Sequence, residues 1–360
     1  MASSPLILAA LAKAALPSYQ FKSVATLPSN GTGPIDSVLL TDTEGVQYVI
    51  RESKNGSGNL KLAGDNQAAK LAKSSGHLPF KIPTLIGETR NQRGNTVQVL
   101  EFIYGSAVDL HSLSASDELV PPLGRAIASI HNLSADRLRQ AGAPEFNSNQ
   151  IRDARLAELD KAAATGMVPA SLLQRWENAL EDLDLFRFKE SVIHGNLVSE
   201  NILELNGEVS GVLGWSSLRI GDPAEDLVPY AASGNNELLD AVKFAYFENR
   251  SDTDANLAQR ATLYAELDIA RYLVQMLAEG NQAEAEWAVS ELEVTAGLVS
   301  SGDARLLSTN GFVALAPLVV PDTHTIVTES VPEIAPEIVE GSDLATRPID
   351  LPESSDDQLF

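Results

Sequence analysis

His194, Asn196, Asn201 and Gly214 are spaced so that one short β-ribbon would bring them to a common point, and none of the four is an acid. The ribbon follows from local sequence. Residues 202–205 and 209–213 are apolar runs around Asn206-Gly207, the strongest two-residue signal for a type I′ hairpin turn. An antiparallel pair folded there sets residues near 201 and near 213 side by side at its open end. In one class of phosphoryl-transfer site such an end holds an asparagine from one strand and an acid from the other, which grip Mg²⁺ against nucleotide phosphates. Asn201 offers the amide, whereas Gly214 has no side chain to offer. Asn196 can orient a hydroxyl by hydrogen bonding but cannot accept its proton.

Residues 192–227 read VIHGNLVSENILELNGEVSGVLGWSSLRIGDPAEDL. This stretch resembles the signature of the aminoglycoside and macrolide phosphotransferases, small-molecule relatives of the protein kinases. In that family the loop runs His-Gly-Asp-Leu, with an Asn five residues after the Asp, then a hairpin ending in Ile-Asp-Trp or Ile-Asp-Phe. His194, Gly195, Leu197, Asn201 and Trp215 match; the family's catalytic Asp falls on Asn196 and its metal-binding Asp on Gly214. The resemblance implies that His194 braces the loop, that Asn201 is a metal ligand, and that the cofactors are ATP or GTP with Mg²⁺, bound weakly or not at all. It further implies that Asp222, in the sequence Gly-Asp-Pro-Ala-Glu-Asp-Leu, caps backbone amides and braces the catalytic loop with help from Asp226.

The two departures differ in weight. A general base contributes roughly 10²–10⁴ in rate, about 3–5 kcal/mol at ~1.4 kcal/mol per decade. A missing carboxylate at 214 threatens the several kcal/mol that a bound metal supplies, and is the graver loss. Glu200, Ser216 and Ser217 are the candidate substitutes by sequence; Glu200, beside Asn201 on an extended segment, would face the other way.

The N-terminal part is strand-rich. Residues 37–40, 47–51 and 96–102 are β-type runs, and 65–73 reads as a single helix among them. By the same resemblance, residues 30–33 occupy the place of the nucleotide-covering loop, and Arg51 falls where a basic strand residue contacts the phosphates. Its helical partner is Asp65 by position, or Gln67 when counted back from Leu78-Pro79-Phe80. Residues 101–105, with Glu101 and Ile103, resemble the hinge whose backbone would meet an adenine ring.

Beyond Gly105 the periodicity turns helical, at 122–133, 169–185, 237–249, 256–279 and 282–299. The expected fold is therefore α+β and bilobal, protein-kinase-like. It has a nucleotide-side lobe over 1–105, a helical lobe over 106–302 and a tail over 303–360. His131, near the end of the first of these helices, is expected to make structural hydrogen bonds. Residues 5–16 suit an amphipathic helix packed on the body; with Lys13 inside and no basic leader they match neither a signal peptide nor a span of roughly 20 apolar residues. Residues 321–360 carry ten acids against the lone Arg347 and five prolines, a composition expected to remain disordered.

A net charge of −23 excludes nucleic-acid and anionic-membrane partners, which demand basic surfaces. The absence of cysteine excludes disulfides, a thiol nucleophile and thiolate-bound zinc, and fits the cytoplasm. Three functions remain: an impaired, pseudokinase-like member of the family that binds a small molecule or a protein; an active ATP- or GTP-dependent O-phosphotransferase with a substitute metal ligand; and a scaffold acting through its acidic tail.

Overall fold

The computed structural model describes residues 5–27 and 33–307. Most of the expected nucleotide-covering loop and all of the 321–360 tail lie outside the described residues. Five antiparallel strands form the N-terminal sheet: β1 (Phe21–Thr26), β2 (Ile35–Asp42), β3 (Gln47–Ser53), β4 (Leu85–Arg90) and β5 (Thr96–Glu101), in the order β1-β2-β3-β5-β4. Alternation along the strands gives the sheet two faces. Leu40, Ile50, Val97 and Val99 lie on one, buried against Leu8 and Ala12 of helix α1 (Pro5–Ala15). Arg51 and Gln98, opposite each other on β3 and β5, lie on the other, against helix α2 (Gly56–Ser75).

Helix α2 starts nine residues before the expected 65–73 segment. Its first turn, Gly56-Ser57-Gly58, has poor helix propensity. The Asn55 side chain offsets that by accepting the Gly58 N–H at 2.9 Å, an N-cap worth about 1 kcal/mol.

After Gly105 the chain enters the second lobe. There β6 (Ser106–Ala107), β7 (Ser191–Ile193), β8 (Ile202–Leu205), β9 (Glu208–Val212) and β10 (Arg219–Gly221) make two small sheets, β6-β8-β9 and β10-β7. The helices are α3 (Val120–His131), α4 (Ala135–Gln140), α5 (Ser148–Ala164), α6 (Ala170–Glu181), α7 (Val228–Ala232), α8 (Asn236–Phe247), α9 (Leu257–Glu279) and α10 (Gln282–Ser301). Their core gathers Trp176, Trp215, Tyr230, Tyr246 and Tyr264, all buried. The expected two-lobed arrangement is thus observed.

Helix α5 was absent from the sequence expectation because only Ile151, Leu159 and Ala162 of its 17 residues are buried, so its apolar period is faint. Its start is nevertheless written in the chain, as a capping box between Asn147 and Gln150. The folded part also runs past the expected boundary at 302. Leu307 is buried, Arg305 pairs with Asp240 at 2.7 Å, and Arg175 donates to the Arg305 carbonyl. Among the described residues no helix is long and apolar enough to cross a membrane.

Candidate functional site

The hairpin turns as its sequence dictates. Asn206 and Gly207 take φ of 56° and 74°, the left-handed pair a type I′ turn requires, and Leu205 faces Glu208 across it. At the open end the Leu213 N–H donates to the Asn201 carbonyl at 2.8 Å, so the two expected neighbours are neighbours. Asn201 closes a 3₁₀ turn, Ser199–Asn201, rather than an extended segment, and Glu200 in that turn is exposed. Ser216 and Ser217 sit in a second 3₁₀ turn just beyond Gly214.

Gly214 adopts the left-handed conformation (φ 73°, ψ 50°). A Cβ there would lie 2.7 Å from both Oδ1 and Nδ2 of Asn201. The Asn201 carboxamide therefore lies against the glycine, where a side chain at 214 would begin. Its Nδ2 donates to the Asn196 carbonyl at 2.9 Å. The two asparagines are thus tied to each other, while the Asn196 side chain is exposed.

A carboxylate does approach this point, from the other lobe. Asp65 is buried on α2; its Oδ1 accepts the Trp215 N–H at 2.6 Å and its Oδ2 accepts from Arg51 Nη1 at 2.5 Å. Gln67 is exposed, so of the two partners left open by sequence it is Asp65 that pairs with Arg51. Both oxygens of Asp65 are engaged.

His194 is fully buried between the loop and the hairpin. Its Nδ1 accepts the Asn196 N–H at 3.3 Å, which leaves Nε2 to donate to the Leu213 carbonyl at 2.9 Å. Burial pushes its pKa down, outweighing the charges of Asp226 and Asp65, so the ring is the neutral Nε2–H tautomer. Its ring packs edge-to-face with that of Trp215, centroids 4.8 Å apart.

Of the two acids of the Gly-Asp-Pro segment, both expected to brace the loop, one reaches it. Asp226, not Asp222, braces the loop: it accepts the His194 N–H at 2.8 Å and the Gly195 N–H at 2.7 Å. Its Oδ2 also lies 3.0 Å from His131 Nε2, while His131 Nδ1 faces the Tyr246 hydroxyl at 3.0 Å. Burial raises the pKa of Asp226, but the hydrogen bond from His131 and the loop amide more than offset it, and the net shift is downward. Asp222 instead caps its own turn at the Ala224 N–H and holds α9, through Arg260 at 2.7 and 2.9 Å and the Tyr264 hydroxyl at 2.7 Å. The physical reason is length along the turn: Pro223–Leu227 forms a 3₁₀ helix that carries Asp226 back under the loop.

Arg219 is a further member of the site that sequence reasoning missed. Its guanidinium packs on Gly195, where a Cβ would strike it, while it donates to the Ser217 carbonyl and pairs with Glu225. Only the pairing of β7 with β10 brings it there, and nothing local signals that.

At the interlobe connection Ile103 is buried on Gly211 of β9, and Glu101 is exposed. Both line a cavity of about 430 Å³ with Lys73, Phe80, Lys81 and Ile82. Neither Arg51 nor any loop residue lines it, so this cavity is separate from the Asn196–Asn201 end of the site.

These residues do not fit a resident magnesium ion. Mg²⁺ on a nucleotide is bound through one or two protein carboxylates plus phosphates. Gly214 has none, Asp65 is committed to Arg51 and Trp215, and Asn201 faces the glycine. Among the described residues no group of three or more His, Cys, Asp or Glu side chains is placed to hold a metal.

Several known proteins share this architecture. The apoenzyme of macrolide 2′-phosphotransferase MphH from Brachybacterium faecium superposes with a TM-score of 0.65 at 22% identity, over 79% of this chain and 97% of that one. Aminoglycoside 2′-phosphotransferase-IIIa in its GDP complex gives 0.66 at 18%, over 82% and 99%. In sequence the chain is 43% identical over 74 residues to viomycin phosphotransferase of Streptomyces vinaceus, and 28% identical over 116 residues to the uncharacterized protein YcbJ of Bacillus subtilis (strain 168). The matches cover 19% and 32% of this chain, and only 26% and 38% of the relatives' own lengths. Residues 33–273 match the phosphotransferase enzyme family, more than half of the chain, and with the two-lobed kinase-like fold this establishes that the protein belongs to that family.

Proposed function

We propose that this protein binds a nucleotide or a related phosphate-bearing small molecule between its lobes and transfers phosphate poorly or not at all. The observation that carries the reading is the Asn201 carboxamide resting on Gly214, where a metal-binding acid would start. Asn196 adds to it, since an amide cannot take a proton from an acceptor hydroxyl. Nucleotide binding is supported by the family, and by relatives whose structures contain GDP or ADP. The test is a phosphate-transfer assay with ATP and GTP, with Mg²⁺, over a panel of hydroxylated amines and macrolides. Turnover in the ordinary kinase range, roughly 1–100 s⁻¹, would refute the reading.

A second reading, an active O-phosphotransferase with a substitute ligand, is favoured by one observation. Asp65 brings a carboxylate to the residue beside Gly214. Recruiting it would cost its bond to Arg51, at 2.5 Å a charge-assisted contact worth about 1.5–3 kcal/mol. Under that reading Asp65→Asn would abolish a metal-dependent activity. Under ours there is little or no such activity to lose.

A further inference from the structure

We infer that the cleft takes nucleotide as its metal-free anion, and that magnesium does not promote the binding. The inference rests on the nucleotide reading above and specifies the form of the ligand.

The seat for an ion is closed from three sides. Gly214 presents no donor, and the Asn201 carboxamide covers its Cα and spends Nδ2 on the Asn196 carbonyl. Asp65 has one oxygen on the Trp215 amide and the other on Arg51. Mg²⁺ is strongly hydrated and gives up water for carboxylates and phosphates rather than for a single amide oxygen.

Charge points the same way. By the resemblance, two acids would stand where this chain has Asn196 and Gly214, so this chain carries two fewer negative charges around that point. A divalent ion contributes two positive charges. Removing both sets leaves the local balance unchanged, so bare phosphates meet a wall no more repulsive than a metal-loaded site. Arg51 supplies the cation. Its Nη1 is given to Asp65, its side chain keeps 21% exposure, and a guanidinium has further N–H groups in a fork that suits phosphate. Chelation by Mg²⁺ withdraws negative charge from Arg51 and brings a hydrated ion for which the cleft has no acid.

The test is isothermal titration of the full chain with ATP and with GTP, in excess EDTA and in excess Mg²⁺. Binding in EDTA, equal to or tighter than in Mg²⁺, is expected. Binding that appears only with Mg²⁺, or is about tenfold tighter with it, overturns the inference and leaves the nucleotide reading standing. No binding in either buffer overturns both. Asn196→Asp and Gly214→Asp each return one negative charge, and each should weaken binding in EDTA severalfold. Asn196 is exposed, so its variant folds even if the crowding of a Cβ at 214 against the Asn201 carboxamide unsettles the other. An unchanged affinity of Asn196→Asp in EDTA would overturn the charge argument.

Discussion

Asp65 and Trp215 are joined across the lobes, carboxylate Oδ1 to backbone N–H at 2.6 Å, while the second oxygen of Asp65 holds Arg51 at 2.5 Å. One side chain thereby ties α2 and β3 to the turn that follows the hairpin, with no ligand needed to assemble the contact. It also removes from service the carboxylate best placed to replace the acid missing at 214.

Asp65→Ala leaves two buried or half-buried donors, the Trp215 N–H and the Arg51 guanidinium, without an acceptor. Each such loss costs about 1–3 kcal/mol. Asp65→Asn keeps one acceptor and loses the charge, so it should cost less than the alanine variant. Urea unfolding of the three proteins side by side checks the order; equal stability of Asp65→Ala and wild type would show that the clasp is not closed in solution.

Asp226 and Asp222 differ in what they hold, and hydrogen exchange can separate them. Asp226→Asn should lose protection at the His194 and Gly195 amides, which its carboxylate accepts at 2.8 and 2.7 Å. Asp222→Asn should leave those amides protected. It should instead destabilise the α9 end through Arg260, a fully buried partner that keeps Asp254 at 2.5 Å, so the loss should fall below the about 3–5 kcal/mol of a buried charge left with no partner. Loss of loop protection in Asp222→Asn would restore the assignment implied by the family resemblance.

The hairpin was legible because its turn, Asn206-Gly207, is decided by two residues whose left-handed conformations have few alternatives. The lobe order and the long helices α9 and α10 were legible from periodicity for a similar reason. The site was legible only where chemistry and chain neighbourhood coincide, at His194, Asn201 and Gly214. Asp65 against Gln67 is a choice of helix face, and α2's hidden first turn removed the reference from which to count. The Asp222 and Asp226 roles depend on how a 3₁₀ turn is aimed, and Arg219 on a strand pairing 26 residues apart at Ile193. Such facts belong to tertiary packing, which no local pattern encodes.

Gly195 and Gly207 share φ of 74° but not their surroundings. A methyl at 207 would meet nothing closer than Glu118 Oε1 at 3.6 Å, whereas at 195 it would run into Arg219 and lie 2.8 Å from the Ser217 carbonyl. Gly207→Ala should therefore cost only the left-handed penalty, about 1–2 kcal/mol. Gly195→Ala should cost distinctly more, unless Arg219 swings out and abandons Glu225. Chemical denaturation of both variants, and of Gly195→Ala combined with Arg219→Ala, measures the difference; the second substitution should recover part of it.

His194 carries a pH dependence of known sign. Its folded pKa lies below the ordinary histidine value of about 6.5 because burial disfavours the charged ring, so between those values the unfolded chain binds more protons. Stability from this group is complete above about pH 6.5 and falls as acid is added, by at most ~1.4 kcal/mol per pH unit. Asp226, whose pKa is also lowered, adds a loss that sets in only below about 3.8. Urea midpoints should therefore fall from pH 7.5 to 5.5 in the wild type, and fall less in His194→Gln, which keeps a donor for the Leu213 carbonyl without a titrating ring. An equal slope in both proteins would place the titration elsewhere.

Restoring the acids tests whether chemistry was lost at these two positions. Asn196→Asp alone returns a base but no carboxylate beside Asn201, so it should stay inactive. Gly214→Asp alone forces the Asn201 carboxamide off the glycine, because its Cβ would lie 2.7 Å from that group. Asp is among the residues that tolerate left-handed backbone best, so the strain is modest. Only the double variant has both a proton acceptor and an acid opposite Asn201. It should show nucleotide turnover above the wild type in the presence of Mg²⁺, with the base contributing roughly 10²–10⁴ relative to Gly214→Asp alone. If the double variant folds, binds nucleotide and remains as inactive as the wild type, the defect lies outside these two positions, and the weight placed on Gly214 is misplaced.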